Sequence, residues 1–152
     1  MNATERVNPG KALPAIYQAV AATDELATKA AIDAGWSAGF IHLVKMRASQ
    51  INGCAFCLRM HSRDALAIGE TADRLALLPG WRECSYFSPK EQAALALTEA
   101  ITNIADGQLP DAIYNAAALQ LNAAEIASIE WLAIVINMWN RVAISGRYPV
   151  NP

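Results

Sequence analysis

The sequence has little charge and no basic segment. Of its 152 residues 17% are charged, the formal net charge at pH 7 is −2, and the pI is near 5.6. Nucleic acids and anionic membranes attract proteins through clustered lysine and arginine, and no run of these residues occurs. We therefore expect neither nucleic acid nor a membrane among the partners of this protein.

Long apolar segments are also lacking. No apolar run reaches the roughly 18 residues that span a bilayer, and WLAIVINMWN near the end of the chain is interrupted by Asn137 and Asn140. The opening residues, MNATERVNPGKALPAIY, lack the basic start and apolar core of a secretory signal. We expect a cytoplasmic protein, in a compartment where structural disulfides are rare.

Cysteine is scarce, with three residues in the chain. Cys84 stands alone in WRECSYF and is expected to be a small packed side chain, since free cysteines are usually buried. Cys54 and Cys57 form a CxxC pair. In a reducing compartment such a pair favours catalysis or metal binding over a structural crosslink.

Strand signals are missing as well. We find no alternating segment bounded by hairpin turns, no internal repeat and no linker that would divide the chain into domains. Apolar residues recur instead at spacings of three and four, as in Leu13, Ile16, Tyr17 and Val20. This spacing is typical of helices.

Capping residues place the helix ends. The segment SPKE at residues 88–91 combines an N-cap serine, a proline suited to the first helical position and the glutamate of a capping box. The predicted helices cover about 13–33, 37–50, 53–69, 71–78, 88–105, 110–121 and 122–145. We predict an all-α protein with one domain over residues 1–152, a compact bundle of six or seven helices.

The cysteine pair falls at the start of the third predicted helix, in INGCAFCLRMH. At about 100° per residue, Cys54, Cys57 and His61 lie within an arc of roughly 60°. Unpaired N–H groups and the dipole at a helix start favour a thiolate, and an imidazole one turn later can accept its proton. The spacing indicates thiol chemistry.

Three segments carry a family resemblance: LVKMRASQINGCAFCLRMHSRDALAIGE, WRECSYFSPKEQAALALTEAIT and INMWNRVAIS. Together they resemble the alkylhydroperoxidase AhpD-like branch of the carboxymuconolactone decarboxylase superfamily, over roughly residues 37–148. The resemblance implies an all-helical homo-oligomer, a trimer or hexamer, that reduces peroxides with a CxxC pair and needs no bound cofactor. It also implies a dithiol reductant, since the AhpD type is recycled by a lipoyl-bearing partner.

Carried over to this sequence, the resemblance makes Cys57 the thiolate that attacks peroxide, His61 its proton acceptor and Cys54 the resolving thiol. The residues alone leave the order of the cysteines open. A helix start activates its first cysteine, which favours Cys54, whereas His61 lies four residues from Cys57 and seven from Cys54. We prefer Cys57 as the attacking residue, with Arg47, Ser49 or Gln50 as further hydrogen-bond donors.

One position departs from the family pattern. The AhpD type has a glutamate twelve residues before the first cysteine, where it acts with the histidine in a proton relay, and this sequence has His42 there. A carboxylate would stabilise a charged His61, whereas a protonated second imidazole would repel it. We include His42 among the site residues and expect an altered relay.

Two alternatives remain from the sequence. Cys54, Cys57, His61 and His42 would complete a Cys₂His₂ set for zinc, although a helix that fixes three of the four ligands is unlike the usual zinc knuckle. An oligomeric helical protein with an inactive CxxC is the second alternative, because the last predicted helix is apolar nearly all round. Trp131 and Trp139 of that helix are expected in the core or in a subunit interface.

Overall fold

Residues 6–152 are described by a computed structural model, and they form eight α-helices and one 3-10 helix with no strand among them. The 3-10 helix, Leu78–Glu83, lies between α5 and α6. The α-helices are α1 (Pro9–Ala12), α2 (Pro14–Asp33), α3 (Ala38–Asn52), α4 (Ala55–Ala67), α5 (Ala72–Leu77), α6 (Pro89–Thr102), α7 (Asp111–Ala118) and α8 (Ala123–Ser145). The predicted all-α class is confirmed.

All seven predicted helices occur, and α1 is the additional one. Asn8 caps α1 by accepting a hydrogen bond from the Lys11 N–H at 3.0 Å, and Pro9 occupies its first position. Four residues are too few to show a helical repeat of apolar residues, so the pattern could not reveal α1. The fourth helix begins at Ala55, slightly later than predicted, because Gly53 separates it from α3.

Side chains cap several of the other helices, among them the one predicted at Ser88. Ser37 accepts a hydrogen bond from the Phe40 N–H at 3.1 Å. Ser88 with Glu91 forms the predicted capping box, and a second capping box begins α8. These local hydrogen bonds satisfy N–H groups that the helix itself leaves unpaired.

The long helix α8 packs against α2, α3, α4 and α6. Its inner side and that of α3 contribute most of the large side chains that are fully buried. Such close packing of apolar groups contributes most of the stabilisation of a helical fold. These buried side chains include Phe40, Leu43, Val44, Ile129, Leu132, Val135 and Ile136.

A chain of polar side chains fixes the end of α3 against α8. The Asn52 amide donates to the side-chain oxygens of Asn137 and Asn140, each at 2.9 Å, and the Asn140 amide donates to Ser49 Oγ at 2.9 Å. Asn140 is fully buried, so these partners replace the water it would otherwise bind. The network holds the turn that carries Cys54.

Between residues 6 and 152, no helix combines the length and the apolar character that crossing a bilayer requires.

A candidate redox site at the start of α4

The cysteine pair lies at the turn between α3 and α4. Gly53 adopts the left-handed conformation, φ 70° and ψ 33°, which ends α3 and which a side chain would disfavour. Cys54 is the N-cap of α4, and its sulfur accepts a hydrogen bond from the Cys57 N–H at 3.3 Å. The expected pairing is confirmed, because Cys54 and Cys57 form a disulfide and Cys84 is free.

A cavity of about 240 Å³ is lined by one of the two bonded cysteines. Both cysteines are almost fully buried, with 1% of Cys54 and 2% of Cys57 exposed, but Cys57 alone of the two lines the cavity. A molecule in the cavity therefore meets Cys57 first. The lining residues are Tyr17, Asp24, Phe56, Cys57, Met60, Trp139, Ala143 and Tyr148.

Two aromatic pairs form the walls of this cavity. Tyr17 and Trp139 meet edge to face with ring centroids 4.9 Å apart, and Phe56 and Tyr148 do the same at 5.3 Å. Edge-to-face pairs are a favoured aromatic arrangement. Both tryptophans were expected in the core or in a subunit interface. Trp139 packs against the core and also lines the cavity. Trp131 is 53% exposed and is not a core residue.

The two histidines of the chain face each other. His42 Nδ1, on α3, lies 3.1 Å from His61 Nδ1, on α4. A hydrogen bond of this length between neutral imidazoles requires one Nδ1 to donate and the other to accept. Because Nδ1 of His61 is engaged, Nε2 is the nitrogen that remains for the Cys57 thiol or a bridging water.

Both imidazoles are held neutral. Burial lowers the pKa of His61 to about 3, with further lowering from the positive charges of Lys45 and His42. Burial also lowers the pKa of His42, followed by the charge of Lys45, while Asp64 and Asp24 act in the opposite direction. The expected repulsion between protonated rings thus contributes to the low pKa of His61, but desolvation is the larger cause.

Asp64 extends the histidine pair toward solvent. A carboxylate oxygen of Asp64 and one nitrogen of each histidine all lie within 4.8 Å of one another. His61 is buried, His42 is half-buried and Asp64 is exposed. A proton leaving the buried imidazole therefore has a short polar route to water.

A buried ion pair lies beside the histidines. The Lys45 ammonium donates to Asp24 Oδ1 at 2.7 Å and to Thr28 Oγ1 at 3.2 Å, and Trp139 Nε1 donates to Asp24 Oδ2 at 3.0 Å. The positive charge of Lys45 is thus balanced by a carboxylate that also lines the cavity. Sequence reasoning missed both residues, because Asp24 is 30 residues or more from the motif and Lys45 looks like an ordinary helix-surface residue.

The three further donors considered from the sequence lie elsewhere. Arg47 Nε donates to Glu99 Oε1 at 2.8 Å and Arg47 Nη1 donates to Gln50 at 3.0 Å, while Ser49 Oγ donates to the Lys45 carbonyl at 2.8 Å. None of the three lines the cavity at Cys57. They join helices and serve the packing around the site.

The zinc alternative meets an obstacle in the oxidised state. The sulfurs of Cys54 and Cys57 are bonded to each other, whereas zinc requires cysteine as thiolate. The predicted Cys₂His₂ set is thus not available in this form of the protein.

The low pKa of His61 predicts loss of stability in acid. An unfolded histidine has a pKa near 6.5, so below that pH the unfolded chain takes up a proton that native His61 does not, and stability falls as pH drops toward about 3. Between pH 6.5 and 5 the share of His61 should be about 1.5 kcal/mol. Urea unfolding of the oxidised protein at different pH values measures this contribution to the free energy of unfolding.

His61→Gln is the variant that isolates this effect, and it should flatten the pH dependence. His42→Gln removes the second histidine whose pKa burial lowers but leaves His61 buried, so it should flatten the pH dependence less than His61→Gln does. Parallel curves for the native chain and His61→Gln would refute a buried neutral His61.

The sequence matches a known protein family and a bacterial relative. Residues 14–100 match the carboxymuconolactone decarboxylase family. The chain is 42% identical over 103 residues to the uncharacterized protein YdfG of Bacillus subtilis (strain 168), a match that spans 68% of this chain and 70% of that one.

A crystal structure from Agrobacterium tumefaciens has the same fold. It is of a protein of unknown function and candidate antioxidant defence protein AhpD. The two structures superpose with a TM-score of 0.85 and 35% sequence identity, over 97% of this chain and 100% of the other. This chain belongs to the carboxymuconolactone decarboxylase family and is an AhpD-like member of it.

Proposed function

We propose that the protein is a thiol-dependent peroxidase that cycles through the Cys54–Cys57 disulfide. The observation that carries the proposal is the placement of Cys57, which closes the disulfide, lines the cavity and precedes His61 by one helical turn. The catalytic residues in this proposal are Cys57, Cys54, His61 and His42. We also propose that it works as a single domain in the cytoplasm.

In the oxidative half of the cycle, His61 Nε2 accepts the proton of the Cys57 thiol. The thiolate attacks one peroxide oxygen, the O–O bond breaks, and the departing alkoxide takes a proton to become an alcohol. Cys57 is then a sulfenic acid. The Cys54 sulfur attacks the Cys57 sulfur, water leaves, and the disulfide forms.

In the reductive half, a dithiol attacks the disulfide. Cys57 lines the cavity and Cys54 does not, so we assign Cys57 as the residue to which the incoming thiolate bonds, and Cys54 leaves. A leaving thiolate departs faster when its pKa is low, and the Cys57 N–H donates to the Cys54 sulfur at the start of α4. The second thiol of the reductant then releases Cys57.

The cavity supports an organic hydroperoxide as the substrate. Its walls are largely aromatic and apolar, and burial of an apolar substrate tail contributes roughly 25 cal/mol per Å². Hydrogen peroxide has no such tail and gains nothing from these walls. A lipoyl-bearing protein is the proposed physiological reductant, since a flexible dithiol arm can reach a cysteine that is almost fully buried.

A catalytically weak member of the family is the second candidate. The low pKa of His61 favours it, because an imidazole that resists protonation is a poor base at neutral pH. A slow enzyme of this kind would still exchange disulfides.

The test is peroxide consumption by the reduced protein, with cumene hydroperoxide and hydrogen peroxide as substrates and dithiothreitol or dihydrolipoamide as reductants. We expect catalytic turnover, faster with the organic peroxide. Mass spectrometry should locate the loss of two hydrogens in the peptide that contains Cys54 and Cys57. Oxidation confined to Cys84, or no consumption above the rate without protein, would refute the proposal.

We also predict a homo-oligomer, a trimer or hexamer, with the outer side of α8 in the interface. Trp131 is 53% exposed, Ile134 40% and Met138 38%, so these residues form an apolar stripe along that helix. Light scattering at micromolar concentration should give a molecular mass that is a multiple of 16.3 kDa. The Trp131→Glu variant should have a lower mass, closer to that of the monomer. Lys29→Glu, a charge change on an exposed side chain of α2, is the matched control. A monomer in the native chain contradicts the prediction.

A further inference from the structure

The histidine pair and Asp64 offer more than a proton route. Two neutral imidazole nitrogens and a carboxylate converge within 4.8 Å, and this combination of ligands suits zinc and its neighbours in the first transition row rather than magnesium or calcium. His61 and Asp64 are three residues apart on α4, and His42 comes from the packed helix α3. The set is held by two rigid elements.

The distances fit a metal ion. A tetrahedral zinc with bonds of about 2.05 Å keeps its ligand atoms about 3.3 Å apart, and the two Nδ1 atoms lie 3.1 Å apart already. Asp64 is exposed, so its side chain can turn to the ion without loss of packing. Water can fill the remaining position.

The local charge also permits a cation. The charge of Lys45 lowers the pKa of both imidazoles, but Asp24 binds its ammonium at 2.7 Å. With Asp64 added, the three charged groups around the histidines sum to one negative charge. Neither imidazole has to lose a proton when it binds the ion. The proton that lies between the two Nδ1 atoms can move to Nε2 of the ring that carries it.

We propose that His42, His61 and Asp64 form a binding site for a late first-row divalent cation, with Zn²⁺ as the probe, and that the bound cation withholds His61 from Cys57. The second half rests on the proposed function. With Nδ1 ligated, the single proton of neutral His61 is on Nε2, so that nitrogen no longer accepts the proton of the Cys57 thiol. The cation is a reversible inhibitor of the thiol chemistry.

Binding is measured by titration calorimetry on chelator-treated, fully oxidised protein that carries Cys84→Ser. This protein has no free thiol, so any site must use other ligands. We expect one Zn²⁺ per chain and at least a tenfold rise in Kd in His42→Gln, which keeps a hydrogen-bonding partner for His61. Asp64→Asn should also weaken binding, whereas Asp106→Asn, on an exposed loop, should not.

Absence of a site in the oxidised protein, or unchanged binding in His42→Gln, would overturn the proposal. The absorption spectrum of the reduced native chain with Co²⁺ provides a second readout. A thiolate-to-cobalt charge-transfer band in the near ultraviolet would assign the metal to the cysteines instead. Failure of the peroxidase proposal would leave the calorimetry unaffected, because the disulfide form performs no turnover.

Discussion

Cys57→Ser is expected to abolish catalytic peroxide turnover, with a loss of at least a thousandfold. The oxygen of serine is a far weaker nucleophile than a thiolate at neutral pH, and among residues 6–152 the other sulfur-containing residue that lines the cavity is Met60. Cys54→Ser should also stop multiple turnover, since no intrachain disulfide can form. It should keep one oxidation event per chain, because Cys57 can still attack peroxide.

The two variants are separated by a sulfenic acid trap. After one equivalent of peroxide, dimedone should label Cys54→Ser at Cys57 and should leave Cys57→Ser unlabelled. Cys84→Ser is the matched control and should behave as the native chain, since Cys84 lies outside the cavity. If dimedone labels Cys54 in Cys57→Ser as fast as it labels Cys57 in Cys54→Ser, then Cys54 is the cysteine that attacks first.

This experiment decides between two physical effects that act on neighbouring atoms. The start of α4 and the Cys57 N–H stabilise a negative charge on Cys54, whereas access and His61 favour Cys57. Stabilisation of Cys54 is useful in the reductive half, when Cys54 leaves. Access is indispensable in the oxidative half, since a buried sulfur that peroxide cannot reach does not react however low its pKa.

Helix positions in this chain could be predicted because they follow from local chemistry. Ser37, Ser88 and Asn122 cap helices with their own side chains, and each cap lies within three residues of the N–H it binds. The one-turn spacing of Cys57 and His61 likewise follows from the repeat of a single helix, whereas Cys54 is the extended N-cap of that helix. Information of this kind is present in a short segment of sequence.

The cavity could not be predicted, because it joins distant segments. Tyr17 and Asp24 come from α2, Trp139 from α8 and Tyr148 from the segment after it. Nothing in the residues around position 24 indicates that its carboxylate will meet Lys45 and Trp139. The approach of His42 to His61 was expected from the family resemblance, but its consequence for His61 depends on burial, which only the packed structure gives.

The position that distinguishes this protein from the AhpD pattern provides the sharpest test. In the structure His42 does contact His61, and Lys45, Asp24 and Asp64 are the other charged groups around the pair. His42→Glu would replace a group that lowers the pKa of His61 with one that raises it. At an effective dielectric constant of 20, opposite charges about 4 Å apart gain roughly 4 kcal/mol before desolvation is counted.

We expect His42→Glu to move the iodoacetamide reaction of the Cys57 thiol to lower pH and to raise peroxide turnover at pH 7 several-fold. The glutamate stabilises His61 as an imidazolium, and the imidazolium stabilises the adjacent thiolate. Lower nucleophilicity at lower pKa, with a slope of about 0.4–0.5, offsets part of the gain. The measurement is the pH profile of iodoacetamide reaction at Cys57, alongside turnover, in chelator-treated protein. His42→Gln is the matched control: it bonds to His61 without a negative charge and should leave the profile close to that of the native chain. If His42→Glu leaves both the profile and the rate unchanged, then His42 lies outside the relay despite its contact with His61, and its role is structural.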